Sequence, residues 1–355
     1  MEKQVQKWAD VAMFTAAPID VAKGPEVQLL SCNSDPLGTI ASAAKMYKGE
    51  YVKDLSEITD DERRFYLSDV RKNVLAAPLE FVNFHFIISG VTRGFTHQMV
   101  RQRTATYCQE STRFAVKEDV PVGLPPSLTD TVPWDVWLVQ CSHDLFPDMS
   151  TAAGDFPERV KMVTDYANTQ ATKEQQWRRI WDDMVGDISD SYNALVNAGM
   201  PAEDARGILP TNLLTRINYN TSLRGLLEHS GLRLCTQAQF EWKLVWRKII
   251  QAIQRYGHDH IRAADRWQFN ELATLFKPIC YKTGKCEFMS EGDRFCAIRE
   301  RVQANAKIGR PSSEWHEAIG EYQTGPDGIG EYWRGISAIK DYEWMNNQEA
   351  ARISQ

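Results

Sequence analysis

From Glu80 the chain reads EFVNFHFIIS, in which Val82, Phe84, Phe86 and Ile88 alternate with Phe81, Asn83, His85 and Ile87. A period of two with aromatic and β-branched content predicts a strand, and apolar residues on both sides predict one covered on both faces. The breaker-poor stretch from Thr92 to Tyr107 predicts a helix running into a polar loop. Pro121, Pro125, Pro126 and Pro133 mark residues 118–135 as a surface connection. A long helix is predicted from Pro157 to Ala198, with Trp177, Ile180, Trp181, Met184 and Ile188 at helical spacing and Gly199 where a C-terminal cap belongs. Pro201 suits the first position of another helix, with Glu203 and Asp204 in its first turn. Trp242, Val245, Trp246, Ile249, Ile250 and Ile253 form the cleanest amphipathic stripe. The tryptophans of both stripes are read as core, where aromatic burial is most favourable.

Composition narrows the class. The 355 residues are 43% hydrophobic and 25% charged, the profile of a soluble globular protein. Lys plus Arg is 41 against 47 Asp plus Glu, a net charge of −6, so the basic excess of a general nucleic-acid binder is missing. Charges interrupt every apolar run before the ~20 residues that span a bilayer, which excludes a membrane partner. The start, MEKQVQKWADVAMF, has no signal-peptide core, and seven scattered cysteines do not form a disulfide framework. The expectation is a cytoplasmic protein. The tail from Pro311 holds eight acidic and three basic side chains with Trp315, Trp333 and Trp344, and is expected to pack onto the body.

The candidate chemistry lies in arginines. QMVRQRTATYCQESTRF, from Gln98 to Phe114, places Arg101, Arg103 and Arg113 near Ser111 and Thr112. Guanidinium groups bind phosphates in bidentate fashion, and hydroxyls with loop amides complete such sites. On a helix His97 and Arg101 lie one turn apart while Arg101 and Arg103 point differently, so one reading is two anions held on either side of a helix end. The other is a solvated charged face paired with nearby acids. A second set, Arg206, Arg216, Arg224 and Arg233, recurs through apolar sequence read as helical, where an arginine is costly unless it meets an anion.

These residues resemble the flavin-dependent thymidylate synthases. R-x-R (Arg101-Gln102-Arg103), seven residues, Ser111 and then Arg113 resemble the family signature. Pro78-Leu79-Glu80-Phe81 resembles the family's strand entry, Arg206 with Leu209-Pro210 its R-x-x-L-P block, and Arg224 with Arg233 its nine-spaced arginine helix. The resemblance implies an α/β (α+β) fold: an N-terminal segment 1–36, one catalytic domain at 37–260 with a central sheet flanked by long helices, and a C-terminal extension at 261–355. It implies that Arg101, Gln102, Arg103, Glu80 and Arg224 hold FAD, and that Gln98, Gln109, Ser111, Thr112, Arg113, Arg206 and Arg233 hold the nucleotide. Arg233 is also the implied catalytic group, stabilising negative charge on the pyrimidine. The implied reaction is reductive methylation of dUMP to dTMP, with methylenetetrahydrofolate as carbon donor and NADPH as reductant, in a homotetramer whose sites combine several subunits.

The family's central R-H-R is here Arg101-Gln102-Arg103, and its Asn-Glu is Cys108-Gln109. Gln hydrogen-bonds but does not titrate near neutral pH. These departures keep two alternatives open: the same chemistry on UMP or dCMP, and a nucleotide-binding paralogue without turnover. Cys280, Cys286 and Cys296 lack the paired spacing of structural zinc sites, and no metal is expected. His258 and His260 are read as surface residues, and Cys108, with no neighbouring base, as a packing residue.

Overall fold

The computed structural model describes residues 14–21, 24–72, 76–117, 120–128, 131–146, 156–235 and 238–280. Its strands are β1 (Phe14–Thr15), β2 (Glu26–Cys32), β3 (Asn83–Thr92), β4 (Ala105–Gln109), β5 (Ala115–Val116) and β6 (Leu214–Ser222). β1 and β5 pair in parallel, while a four-stranded sheet has the order β2-β3-β6-β4, with β2 antiparallel to β3 and β4 antiparallel to β6. With its many helices this is the mixed α/β class expected. The chain divides into two compact units, residues 1–21 with 110–214 and residues 22–109 with 215–355.

In the unit built from 22–109 and 215–355, the alternating run becomes β3. Val82, Phe84, Phe86 and Ile88 are wholly buried, whereas Phe81 and Asn83 are exposed and His85 and Ile87 half-buried. The strand is therefore fully covered on one face only, a correction to the two-sided reading. β3 and β6 each end in a hydroxyl that starts a helix. Thr92 Oγ1 accepts from the Phe95 amide at 3.0 Å and opens Arg93–Met99, and Ser222 Oγ accepts from the Gly225 amide at 3.3 Å and opens Leu223–Arg233. Such caps satisfy donors with no intrahelical partner.

The helix predicted over 92–107 stops at Met99, and Tyr107 lies in β4. Tyr107 Oη donates to the Met99 carbonyl at 2.8 Å, satisfying a helix-end acceptor, while β-branched Thr106 and the alternation of ATYCQ favour the strand. The arginine-bearing stretch from 206 is likewise not one helix. Arg206 opens a single 3₁₀ turn, Arg216 lies in β6, and only Arg224 and Arg233 lie in the following helix.

The second stripe forms the helix Phe240–His260, with Trp242, Val245, Trp246, Ile249, Ile250 and Ile253 at most 3% exposed. Each side chain of this kind contributes ~1.5–3 kcal/mol when fully buried. The core continues past residue 260, because Phe269 and Leu272 of the helix Trp267–Ala273 and Phe276 beyond it join the same cluster. Gly257 makes that approach possible: a Cβ there would stand 2.5 Å from the Phe269 Cβ.

In the other unit, the predicted helix 157–198 is two, Phe156–Gln170 and Lys173–Asn197. Thr172 separates them because its Oγ1 accepts from the Gln175 amide at 3.2 Å, a cap that competes with continuation. Gly199 follows the second helix with φ +89°, as its capping role requires. The first stripe is core only in part: Trp181 packs against the cluster of Val120, Val122, Tyr192, Ala205 and Leu213, while Trp177, Ile180 and Met184 are 42%, 62% and 53% exposed. The Pro-rich connection is more than surface, since Val120, Val122 and Leu128 are buried and Val122 bridges to Leu213. Among the described residues no helix is long and apolar enough to cross a membrane. The tail with Trp315, Trp333 and Trp344, and Cys286 and Cys296, lie outside the described residues.

Candidate functional site

Arg101 and Arg103 stand in the turn between the helix Arg93–Met99 and β4, not on the helix itself. Both are exposed, and neither meets a carboxylate among the described residues. Gln102 between them turns inward. Its Nε2 donates to the Gly225 carbonyl at 2.9 Å, and its Oε1 accepts from Tyr219 Oη at 2.8 Å. Glu80 and Arg224, expected at the same cofactor, meet each other: Arg224 Nη1 is 2.6 Å from Glu80 Oε1, and Arg224 Nε is 3.0 Å from Glu228 Oε1. Those two carboxylates, Glu228 foremost, raise the Arg224 pKa.

Arg233, the last residue of its helix, is half-buried. Its Nη1 donates to Gln98 Oε1 at 3.3 Å, and its guanidinium lies 4.8 Å from the centre of the Trp242 ring. Gln98 is fixed in turn: its Oε1 also accepts from Trp242 Nε1 at 3.0 Å, and its Nε2 donates to Gln239 Oε1 at 2.5 Å. Burial, and then the charge of Arg101, lower the Arg233 pKa. Behind them His229 is buried, edge-on to Trp242 at 4.8 Å between ring centres. Burial, and then Arg233, hold its pKa down to about 3, so the imidazole is neutral at ordinary pH. Among the described residues His229 Nδ1 and Arg233 Nε are buried without a hydrogen-bond partner. Gln109 donates from Nε2 to Thr96 Oγ1 at 2.8 Å.

In the unit containing 110–214, Arg113 and Arg206 share one acid. Arg113 holds Glu203 with two bonds, Nε to Oε1 at 2.7 Å and Nη2 to Oε2 at 3.0 Å. Arg206 Nε donates to the Glu203 carbonyl at 3.0 Å. Ser111 Oγ accepts from the Arg113 amide at 3.2 Å, and Thr112 is buried. The paired-surface reading of the charge run thus describes Arg113 and not Arg101 or Arg103.

Sequence reasoning passed over Glu203 as a partner, Gln239 and His229, and it treated Trp242 as core alone. For Trp242 a signal existed, an indole N–H on an otherwise apolar stripe that needs an acceptor when buried. Cys108 is exposed, contrary to the packing expectation, because it lies on the open side of β4. Cys280 is half-buried, and among the described residues no group of three metal-ligating side chains occurs. His258 pairs with its neighbour Asp259 at 2.8 Å and is exposed. A groove of about 520 Å³ between Glu26–Leu29 and the C-terminal half of the helix Phe240–His260 holds none of the predicted site residues.

Residues 28–256 match the family model described as thymidylate synthase complementing protein. The chain is 27% identical over 262 residues to a flavin-dependent thymidylate synthase of Pyrococcus furiosus, covering 73% of this chain and 88% of the relative. Among solved structures it is similar to the UMP/dUMP methylase PolB of Streptomyces cacaoi bound with 5-Br dUMP (TM-score 0.46, 15% identity, 73% of this chain and 99% of that one). It is also similar to the flavin-dependent thymidylate synthase of Helicobacter pylori complexed with FAD and dUMP (TM-score 0.41, 14% identity, 70% and 99%).

Proposed function

Because this chain belongs to the thymidylate synthase complementing protein family, we propose that it is a flavin-dependent thymidylate synthase, methylating dUMP to dTMP with methylenetetrahydrofolate and NADPH. The observation that carries this reading is the arrangement of Arg101, Arg103 and Arg233. Two guanidiniums without acidic partners among the described residues stand on one turn, and a third, partly desolvated, feels the charge of the first. Arginines on one turn without acidic partners suit an anion, and a dinucleotide phosphate bridge supplies one. The donor set therefore fits FAD.

When bound and reduced by NADPH, FAD supplies the hydride. Arg101 and Arg103 hold its phosphates, with the Glu80–Arg224 pair completing the site. Gln98, Gln109, Ser111, Thr112, Arg113 and Arg206 hold the nucleotide, Arg113 exchanging Glu203 for phosphate. Arg233 lies against the pyrimidine and stabilises the negative charge that develops as the ring attacks the one-carbon unit, the role of a fixed donor in a poorly solvated place. A homotetramer brings such residues together from several subunits.

The deciding experiment is a parallel assay of dUMP, UMP and dCMP with FAD, NADPH and methylenetetrahydrofolate. Formation of dTMP from dUMP is expected, with flavin absorbance bleached by NADPH in the absence of nucleotide turnover. A protein that takes up no FAD, or that methylates only UMP or dCMP, would overturn the reading.

A further inference from the structure

The signature position between Arg101 and Arg103 is filled by a side chain whose hydrogen bonds lie inside the protein. Gln102 Oε1 accepts from Tyr219 Oη at 2.8 Å, and the Tyr107 hydroxyl stands 3.5 Å from the same oxygen. Burial pushes both tyrosine pKa values up, so both hydroxyls stay protonated; Tyr219 gives its proton to Gln102 Oε1, while Tyr107 gives its own to the Met99 carbonyl at 2.8 Å. The amide nitrogen meets only acceptors, the Gly225 carbonyl at 2.9 Å and Thr104 Oγ1 at 3.4 Å. A flipped amide would set its carbonyl against the Gly225 carbonyl, which can only accept, so the orientation with Nε2 toward Gly225 is favoured. Space is reserved for it as well: a Cβ on residue 225 would press on Thr221 Oγ1 and stand 3.1 Å from Gln102 Nε2, which glycine avoids.

These bonds join two pieces of chain. On one side is the turn bearing Arg101 and Arg103, closed by Gln102 N to the Met99 carbonyl at 3.2 Å. On the other are β6 and the first turn of the helix that carries Arg224 and Arg233. We propose that Gln102 is a positioning residue, which pins the Arg101–Arg103 turn to Tyr219 and Gly225 so that both guanidiniums face one phosphate bridge, and which does not itself touch the cofactor. The reference to a cofactor rests on the function proposed above. The pinning itself does not. Because an amide does not titrate near neutral pH, the arrangement is independent of pH, unlike one held by an imidazole.

The test compares Gln102→Met, Tyr219→Phe and the double variant by hydrogen exchange of residues 99–105 and by FAD titration. In the apo-protein, both single variants should exchange faster across that turn while β3 keeps its protection, and the double variant should be no faster than Gln102→Met alone. The FAD dissociation constant should rise roughly tenfold in each single variant, the scale of one well-made hydrogen bond, and no further in the double. The inference is overturned if Gln102→Met weakens FAD while the turn exchanges as in the parent, which is the behaviour of a direct cofactor contact. It is equally overturned if the losses multiply or if the turn exchanges as in the parent. Failure of the parent protein to take up FAD would instead remove the proposed function, and the apo exchange would still decide the pinning.

Discussion

Arg233 and Trp242 donate to the same oxygen. Gln98 Oε1 lies 3.3 Å from Arg233 Nη1 and 3.0 Å from Trp242 Nε1, while the guanidinium rests over the indole at 4.8 Å from the ring centre. One aromatic side chain thus fixes the arginine by its face and the acceptor by its edge. A cation over an indole is worth ~0.5–2 kcal/mol depending on desolvation, and a shared acceptor adds direction to that attraction.

Arg233→Ala should keep the fold and bound flavin but lose turnover by ~10²–10³, the usual cost of removing one donor to developing charge. Arg233→Lys should recover little, since a point charge cannot both donate to Gln98 and lie flat on Trp242. Steady-state rates at saturating nucleotide check this, and near-normal turnover in either variant would show the catalytic arginine to be misassigned.

Arg101→Ala should lose flavin by roughly tenfold or more in affinity, since a charge-assisted phosphate contact is among the stronger hydrogen bonds. Arg113→Ala should behave differently, because its guanidinium is already held by Glu203. There the loss should fall on the nucleotide KM with flavin content unchanged. Flavin absorbance per protein in the two purified variants separates them, and equal flavin loss would break the assignment.

Much of the fold was legible where periodicity and burial coincide. The stripe at Trp242 to Ile253 and the alternation at Val82 to Ile88 describe the observed core directly. The first stripe misled because Trp177, Ile180 and Met184 have the same spacing yet remain exposed, and periodicity cannot say what covers a face. The helix end at Met99 was hidden because it depends on a tertiary bond, from Tyr107 to the Met99 carbonyl. The arginines were legible as chemistry, through their number and their company. Their surroundings were not, because Gln239, which holds Gln98, and Glu203 and His229 lie far from them in sequence or at helical offsets that many residues share.

Trp177, Ile180 and Met184 expose a connected apolar face on the helix Lys173–Asn197. The homotetramer implied by the family resemblance gives that face a use, since apolar area left in water is unfavourable and favours association. Ile180→Asp with Met184→Lys should convert the assembly to smaller species in light scattering and lower activity in parallel. A parent protein that is an active monomer would sink the idea, as would a double variant of unchanged mass.

His229 should make stability fall on mild acidification. In the unfolded chain its imidazole titrates near 6.5, whereas in the folded protein burial and Arg233 hold the pKa down to about 3. Between those values the unfolded state binds a proton that the folded state does not, so stability rises with pH through this window and levels off above 6.5. From pH 7 to pH 5 the loss should be about 2 kcal/mol. Of the rings packed around it, Trp242 and Trp246 do not titrate and burial keeps the Tyr219 hydroxyl protonated, so none of them adds to the change, whereas the raised Glu241 carboxyl opposes it equally in parent and variant. The Glu62 carboxyl, held at about 2 chiefly by Lys45, adds an acid slope of the same sign at lower pH, common to parent and variant. His229→Phe, which preserves a ring between the two indoles, should therefore flatten the dependence between pH 7 and 5. Urea midpoints at a series of pH values measure it, and parallel curves for the two proteins would show that the imidazole is not held neutral.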